Sequence, residues 1–359
     1  MPTLTAVPSP AEIAGALSRR VIGQTGAVQE ISIALSKKLA GLDTGNMLMV
    51  GSSGTGKTTL MRAVEQYLAA DAKLAVRSTI VRLHANVLGE EAESGRPGQL
   101  VLRRLLDRAR DQLGSQAAPD EYLDRARHGL VFIDEVDKIR ARVGEQPNVR
   151  GIRAQEALLT LIENESVPIE LPAWLGGGTV TVDSSSLLFV AAGAFEGLYD
   201  AVYDRITIGE DKGALQPMTV VVDGKVREEL QFNLRDWLRQ EDLFDYGMTP
   251  QFLSRFDSVI LLEDLGEDEL VRIFLETPDS GFQQTRAYFD SRGVKMAVSP
   301  KAVRAIARAA RSQPRLGARA LKEVFRRVVR DFEFAPEKFA REGVLFLDAP
   351  EVERGLSSS

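Results

Sequence analysis

The octapeptide Gly51-Ser52-Ser53-Gly54-Thr55-Gly56-Lys57-Thr58 follows an apolar run, Met47-Leu48-Met49-Val50, and opens a helix-compatible segment from Thr59 to Leu68. A strand, a GxxxxGK[ST] loop and a helix in that order form the unit of a phosphate-binding P-loop. The glycines let the backbone curl so that successive N–H groups converge on phosphate oxygens. The helix N-terminus adds partial positive charge. Lys57 reaches the β- and γ-phosphates, and the Thr58 hydroxyl can take a Mg²⁺ coordination position. A glycine-rich turn that binds nothing has no need of all four fixed positions in this context. The expected ligand is therefore a nucleoside triphosphate, held by Ser53, Gly54, Thr55, Gly56, Lys57, Thr58 and Thr59.

The length of 359 residues, 44% hydrophobic and 27% charged, suits two globular domains. No apolar run approaches a membrane span and the N-terminus lacks a signal-peptide core, so a cytoplasmic protein without a membrane partner is expected. With no cysteine, disulfides and thiolate zinc sites are excluded. A net charge of −6 disfavours a broad nucleic-acid footprint.

Along the chain, residues 1–10 carry three prolines and read as a loose arm. Helices are expected over Ala11–Leu17 and Ala27–Leu39, a strand over Ser78–Leu83, a helix over Gly98–Leu113 and a loop over 114–120. A helix from Arg153 to Glu163 precedes a Pro/Gly-rich excursion from Val167 to Gly178, and Leu187–Val190 reads as a strand. Residues 200–247, charged and aperiodic, read as flexible loops ahead of a last strand, Val259–Leu262. Apolar strands alternating with helices argue a three-layer α/β fold over 11–262. Beyond it the expected helices Glu267–Leu275, Gly281–Ser291, Pro300–Ala310 and Ala318–Phe332, with one strand at Val344–Leu347, form a smaller α-helical domain over 263–350. The segment 351–359 is expected to be a disordered tail.

A second chemical signal is Leu130-Val131-Phe132-Ile133 running into Asp134-Glu135. Acidic residues at a strand end are common, but after a P-loop they read as Walker B. Asp134 then holds Mg²⁺ and Glu135 orients and polarises the attacking water. Two adjacent carboxylates fit ATP hydrolysis better than storage of a bound nucleotide.

The order of these motifs resembles the AAA+ ATPases, and within them the ClpX protein unfoldases, from about Val7 to Pro336. Pro8-Ser9-Pro10-Ala11-Glu12-Ile13 and Val21-Ile22-Gly23-Gln24 are similar to the family's opening. So are Leu130–Ile139, Gln155–Glu163, Gly193-Ala194-Phe195-Glu196-Gly197-Leu198 and Gly317-Ala318-Arg319-Ala320-Leu321 to later segments. The resemblance implies that Val21 and Ile22 pack on adenine. It implies that Arg255, in Pro250–Phe256, is an arginine finger acting on a neighbouring subunit's ATP, and that Arg319 contacts the phosphates in cis as sensor 2. A trans finger implies a homo-oligomeric ring, most simply a hexamer, working on a protein client.

Departures from that pattern narrow the expectation. The aromatic–apolar–Gly pore loop corresponds here to Asn86-Val87-Leu88-Gly89, with Val87 in the aromatic position. The Ile-Gly-Phe loop that docks on the ClpP peptidase has Ile208-Gly209-Glu210 as its nearest echo. A glutamate entering an apolar pocket would be desolvated, so ClpP docking is not expected. Leu175-Gly176-Gly177-Gly178 stands where a basic pore-entrance loop belongs, and the cysteine-rich zinc domain is not found. The expectation is an ATP-dependent unfoldase or remodeller with a dedicated client. The alternatives are a nucleotide-gated assembly scaffold and a nucleic-acid-associated loader. The last rests only on the ten basic residues, against Glu323 alone, between Lys301 and Arg330.

Overall fold

The computed structural model describes residues 7–71, 74, 79–93, 98–144, 146–163, 166–208, 218–222, 225–229, 232–313 and 316–357. Its centre is a five-stranded sheet of β1 (Met47–Val50), β2 (Ile80–His84), β3 (Leu130–Asp134), β6 (Leu188–Gly193) and β9 (Ser258–Leu261). The strand order is β9-β1-β6-β3-β2. Every pairing is parallel, with Leu48 opposite both Val259 and Ala191, and Ile133 opposite both Leu83 and Ala191. All four residues of β1, all six of β6 and the first four of β3 are buried. Consecutive strand residues face opposite sides, so burial without alternation means that helices cover both faces. The expected α/β class with an α–β–α layering is what forms.

Helices α1 (Pro10–Leu17) and α2 (Thr25–Leu39) precede β1, and α3 (Lys57–Ala70) follows the P-loop. Ser9 caps α1 in a capping box with Glu12, and Pro8 accepts a hydrogen bond from the Ser36 hydroxyl at 2.8 Å. The described end of the expected loose arm is therefore fixed. Between β2 and β3 lie α4 (Ala85–Glu93), α5 (Gln99–Leu113) and α6 (Pro119–Arg127). Helix α7 (Val149–Glu163) and the antiparallel hairpin β4 (Val167–Glu170) with β5 (Thr179–Val182) follow.

Three expectations fail in this region. Asn86–Gly89 is not a loop but part of α4, because Leu88 is buried in the core and Gly89 lets α4 approach Ala154 and Arg150 on α7. The loop over 114–120 ends early, since Pro119 starts α6. The excursion 167–178 holds a strand, and Gly176, Gly177 and Gly178 all take positive φ with open space around them.

Residues 200–247 fold more than expected. They contain most of α8 (Leu198–Thr207), the hairpin β7 (Met218–Val222) with β8 (Lys225–Glu229), α9 (Leu234–Trp237) and α10 (Gln240–Tyr246). One ion pair there is largely buried. Arg205 donates to both carboxylate oxygens of the buried Asp242, at 2.8 and 2.9 Å, and to the Trp237 carbonyl at 2.7 Å. Helix α11 (Pro250–Leu253) then leads to β9. Glu210 and Gly209, read as the echo of a peptidase-docking loop, lie outside the described residues.

The second core joins α12 (Glu267–Glu276), α13 (Gly281–Asp290), α14 (Pro300–Arg311) and α15 (Ala318–Phe334). A two-stranded parallel sheet, β10 (Lys295–Val298) and β11 (Val344–Leu347), and α17 (Ala349–Ser357) complete it; α16 (Pro336–Phe339) follows α15. The expected disordered tail is thus helical through Ser357, because Val352 is buried in this core and Leu356 packs against it. By compactness the chain divides into residues 1–36, 51–67 and 262–359 in one unit and 37–50 and 68–261 in the other. The expected domain of 11–262 is therefore shared between two compact units. Among the described residues no helix is long and apolar enough to cross a membrane.

Candidate nucleotide and hydrolysis site

In the first unit the P-loop takes the shape its glycines permit. Gly54 and Gly56 have φ of +78° and +110°, a region that side chains avoid. The buried Thr55 closes the turn by donating its hydroxyl to the Ser52 carbonyl at 2.9 Å. Lys57, first residue of α3 and buried, donates its ammonium to the carbonyls of Gly51 and, at 2.8 Å, Ser52. Ser53 and Thr58 are half-buried and Thr59 is exposed. An ammonium held over the mouth of the loop and the half-buried N-terminal turn of a helix are what an anionic polyphosphate requires.

Two distant segments close on this loop. Val21 and Ile22 are buried, and Gln24, two residues on, is almost wholly so. The Gln24 amide nitrogen donates to the Thr55 carbonyl at 3.0 Å and the Glu263 carbonyl at 2.8 Å, while its oxygen accepts from the Glu263 N–H at 3.1 Å. Gln24 stands in the Val21–Gln24 box of the sequence, but only Val21 and Ile22 were expected to line the site. A neutral amide closely following the apolar pair Val21-Ile22 was the available signal, since such a side chain stays buried only when it is hydrogen-bonded.

The other segment is the turn before α15. The Ala318 N–H donates to the Gly54 carbonyl at 3.1 Å. The backbones approach so closely that a β-carbon on Gly317 would sit 2.8 Å from Gly54, and one on Gly54 would overlap the Leu316 carbonyl oxygen. Arg319, the next residue and exposed, is thereby carried to the phosphate loop from 262 residues further along than Lys57. Nearby, Arg304 and Arg308 pair with Glu267, Arg304 with Asp268 too, and Arg327 with Glu323. Within the basic run, Arg304, Arg308 and Arg327 are thus paired with carboxylates, the first two with α12.

The acidic candidates lie in the second unit. Asp134 ends β3, and its Oδ1 accepts the Glu135 N–H at 2.9 Å. Glu135 has φ of +58°, a left-handed conformation that costs a non-glycine residue about 1–2 kcal/mol. That turn lifts its carboxylate off the strand end, half-exposed and 3.7 Å from His84 Nδ1 at the tip of β2. Two residues on, the buried Asp137 accepts the Ala194 N–H at 3.1 Å, and Lys138 lies 3.6 Å from its other oxygen. This ties the turn after β3 to the end of β6.

Arg255 follows α11. Asn46 fixes its backbone, donating to the Arg255 carbonyl at 3.1 Å and, through its own N–H, to Asp257 at 3.0 Å. Its guanidinium pairs with Glu163 at 2.6 Å. Thus Val21, Ile22, Ser53–Thr59 and Arg319 gather in one unit, and Asp134, Glu135 and Arg255 belong to the other.

With this geometry in view, comparison with known proteins is direct. A family profile described as AAA domain (Cdc48 subfamily) matches residues 42–259. An ATP-dependent Clp protease ATP-binding subunit, ClpX 3 of Methylococcus capsulatus, is 32% identical over 95% of this chain and 80% of its own. ClpX subunits of Bacteroides fragilis and Azotobacter vinelandii are 29% and 30% identical. They match over 96% and 88% of this chain and 81% and 71% of their own lengths.

Proposed function

The chain belongs to the AAA ATPases of the ClpX type, and from that premise we propose that it is an ATP-driven protein remodeller. It works as a homo-oligomeric ring, most simply a hexamer, on a dedicated protein client and without docking on ClpP. The observation that carries the hydrolytic part is the hydrogen bond from Ala318 to Gly54, which makes the start of α15 part of the phosphate loop's own framework. Adenine lies against Val21 and Ile22, and Ser53 to Thr59 cradle the phosphates, with the Lys57 ammonium on the β/γ oxygens. Thr58 and Asp134 each offer a hard oxygen donor of the kind Mg²⁺ prefers, and are the residues that would hold it. When bound, that ion supplies Lewis-acid neutralisation of phosphate charge. Glu135 takes the proton of the attacking water, for which its raised, half-exposed carboxylate is suited. Arg319 from the same subunit and Arg255 from the next spread the charge that develops on the γ-phosphate.

Several sequence features support a client other than a ClpP-linked one. Glu210 stands where an apolar anchor belongs, and Leu175–Gly178 carry no charge. Asn86–Gly89 is helical with Leu88 in the core, and Val87 stands where a gripping aromatic belongs. The test uses Glu135→Gln as a trap. With ATP, the variant retains the client; with wild-type protein and ATP, that client becomes susceptible to added protease. A client whose protease sensitivity is the same with and without ATP turnover refutes the remodelling role. It would leave the nucleotide-gated scaffold as the better reading.

A further inference from the structure

Arg255 forms an ion pair with Glu163 on a separate helix. Glu163 is the last residue of α7, where the helix's partial negative charge disfavours a carboxylate and favours a nearby cation. The Arg255 terminal nitrogen sits 2.6 Å from Glu163 Oε1, with both side chains reaching solvent. Upstream on the same helix, the buried Gln155 donates to the carbonyls of Ile139, at 2.7 Å, and Gly247, at 3.3 Å. It also accepts from the N–H and hydroxyl of Thr249, at 2.9 and 2.8 Å. Thr249 caps α11, the turn that delivers Arg255. Helix α7 is thus tied at one point to the segment after Asp134-Glu135 and to the base of the arginine turn, and at its end to the guanidinium itself.

We propose that Glu163 is a positioning residue for Arg255. It holds one terminal nitrogen, leaving the remaining N–H donors of the planar fork to face a phosphate presented by a neighbouring copy of this chain. Without it the long side chain samples several rotamers, and the neighbour's transition state must select one. The proposal rests on reading Arg255 as the trans-acting arginine.

The test measures kcat and KM for ATP, with assembled mass recorded, for wild type, Glu163→Ala, Glu163→Gln, Arg255→Ala and the double alanine variant. Glu163→Ala is expected to lower kcat roughly fivefold, the bias an exposed ion pair can impose, with KM and mass unchanged. Glu163→Gln keeps an oxygen acceptor for the guanidinium and recovers most of the loss. In the Arg255→Ala background, Glu163→Ala adds nothing. A wild-type kcat in Glu163→Ala, or an equal further loss in the Arg255→Ala background, overturns the positioning role. Wild-type turnover in Arg255→Ala itself overturns the finger reading, and the positioning role with it. That result separates the two failures.

Discussion

Replacing Gly317 with alanine should uncouple nucleotide binding from an otherwise folded chain. Gly317 has φ of +48° and ψ of −134°, outside the regions open to side chains, which costs an alanine about 1–3 kcal/mol. Its new methyl would lie 2.8 Å from the Gly54 carbonyl carbon and oxygen and 3.1 Å from the Ser53 oxygen. These neighbours are backbone and cannot rotate aside, so overpacking adds about 1–3 kcal/mol. Separating the two turns relieves the contact, but breaks the Ala318–Gly54 hydrogen bond and withdraws Arg319 from the loop. The expected result is at least about a tenfold rise in Kd for a fluorescent ATP analogue, equivalent to about 1.4 kcal/mol. Gly197→Ala is the control. That glycine also has positive φ, +88°, but nothing stands within 4 Å of its missing methyl. It should lower thermal stability modestly and leave Kd unchanged. Nucleotide affinity unchanged in Gly317→Ala would refute the idea that this turn supports the P-loop.

Other outcomes follow from the same structure. Glu135→Gln should retain ATP binding within a few-fold while kcat falls by about 10²–10⁴, the usual contribution of a general base; single-turnover hydrolysis beside equilibrium binding checks it. Leu88→Ala should destabilise the protein by about 2–5 kcal/mol in denaturant unfolding, because it empties a core position; the half-exposed Val87→Ala should cost much less. Lys38, held down to about 8 by burial, with Asp43 pulling the other way, gives a pH signature. Between pH 8 and 10 the unfolded chain binds more protons at this lysine than the folded one. Its contribution to stability therefore rises with pH across that window, and Lys38→Met should remove the rise. Tyr246, pushed up to about 12 by burial, acts in the opposite sense above pH 10, so the comparison stops there.

Legibility in the sequence followed the range of the interactions concerned. The glycine-rich turn before α3 and the acidic end of β3 could be read because each is set by a few consecutive residues, and the strands because buried parallel strands are continuously apolar. Asn86–Gly89 could not be read as helix, because its helicity depends on Leu88 and Gly89 packing against α7, some sixty residues away. The segment 200–247 misled for a related reason. Its charges looked solvated, yet Arg205 and Asp242 satisfy each other in a largely buried setting. The Gly54–Gly317 approach depends on segments that meet only after folding, so it had no local pattern to betray it.

If each hydrolytic site is shared between neighbouring subunits, as proposed, subunits that lack different halves of it should complement one another. Mixing Arg255→Ala with Glu135→Gln subunits provides that comparison. Each variant alone should assemble and turn over negligibly. In an equal mixture, roughly a quarter of head-to-tail interfaces join an intact Glu135 to an intact Arg255, so ATPase activity should reappear toward that fraction of the wild-type rate. A mixture of confirmed mixed composition that is no more active than its separate components would contradict a shared site.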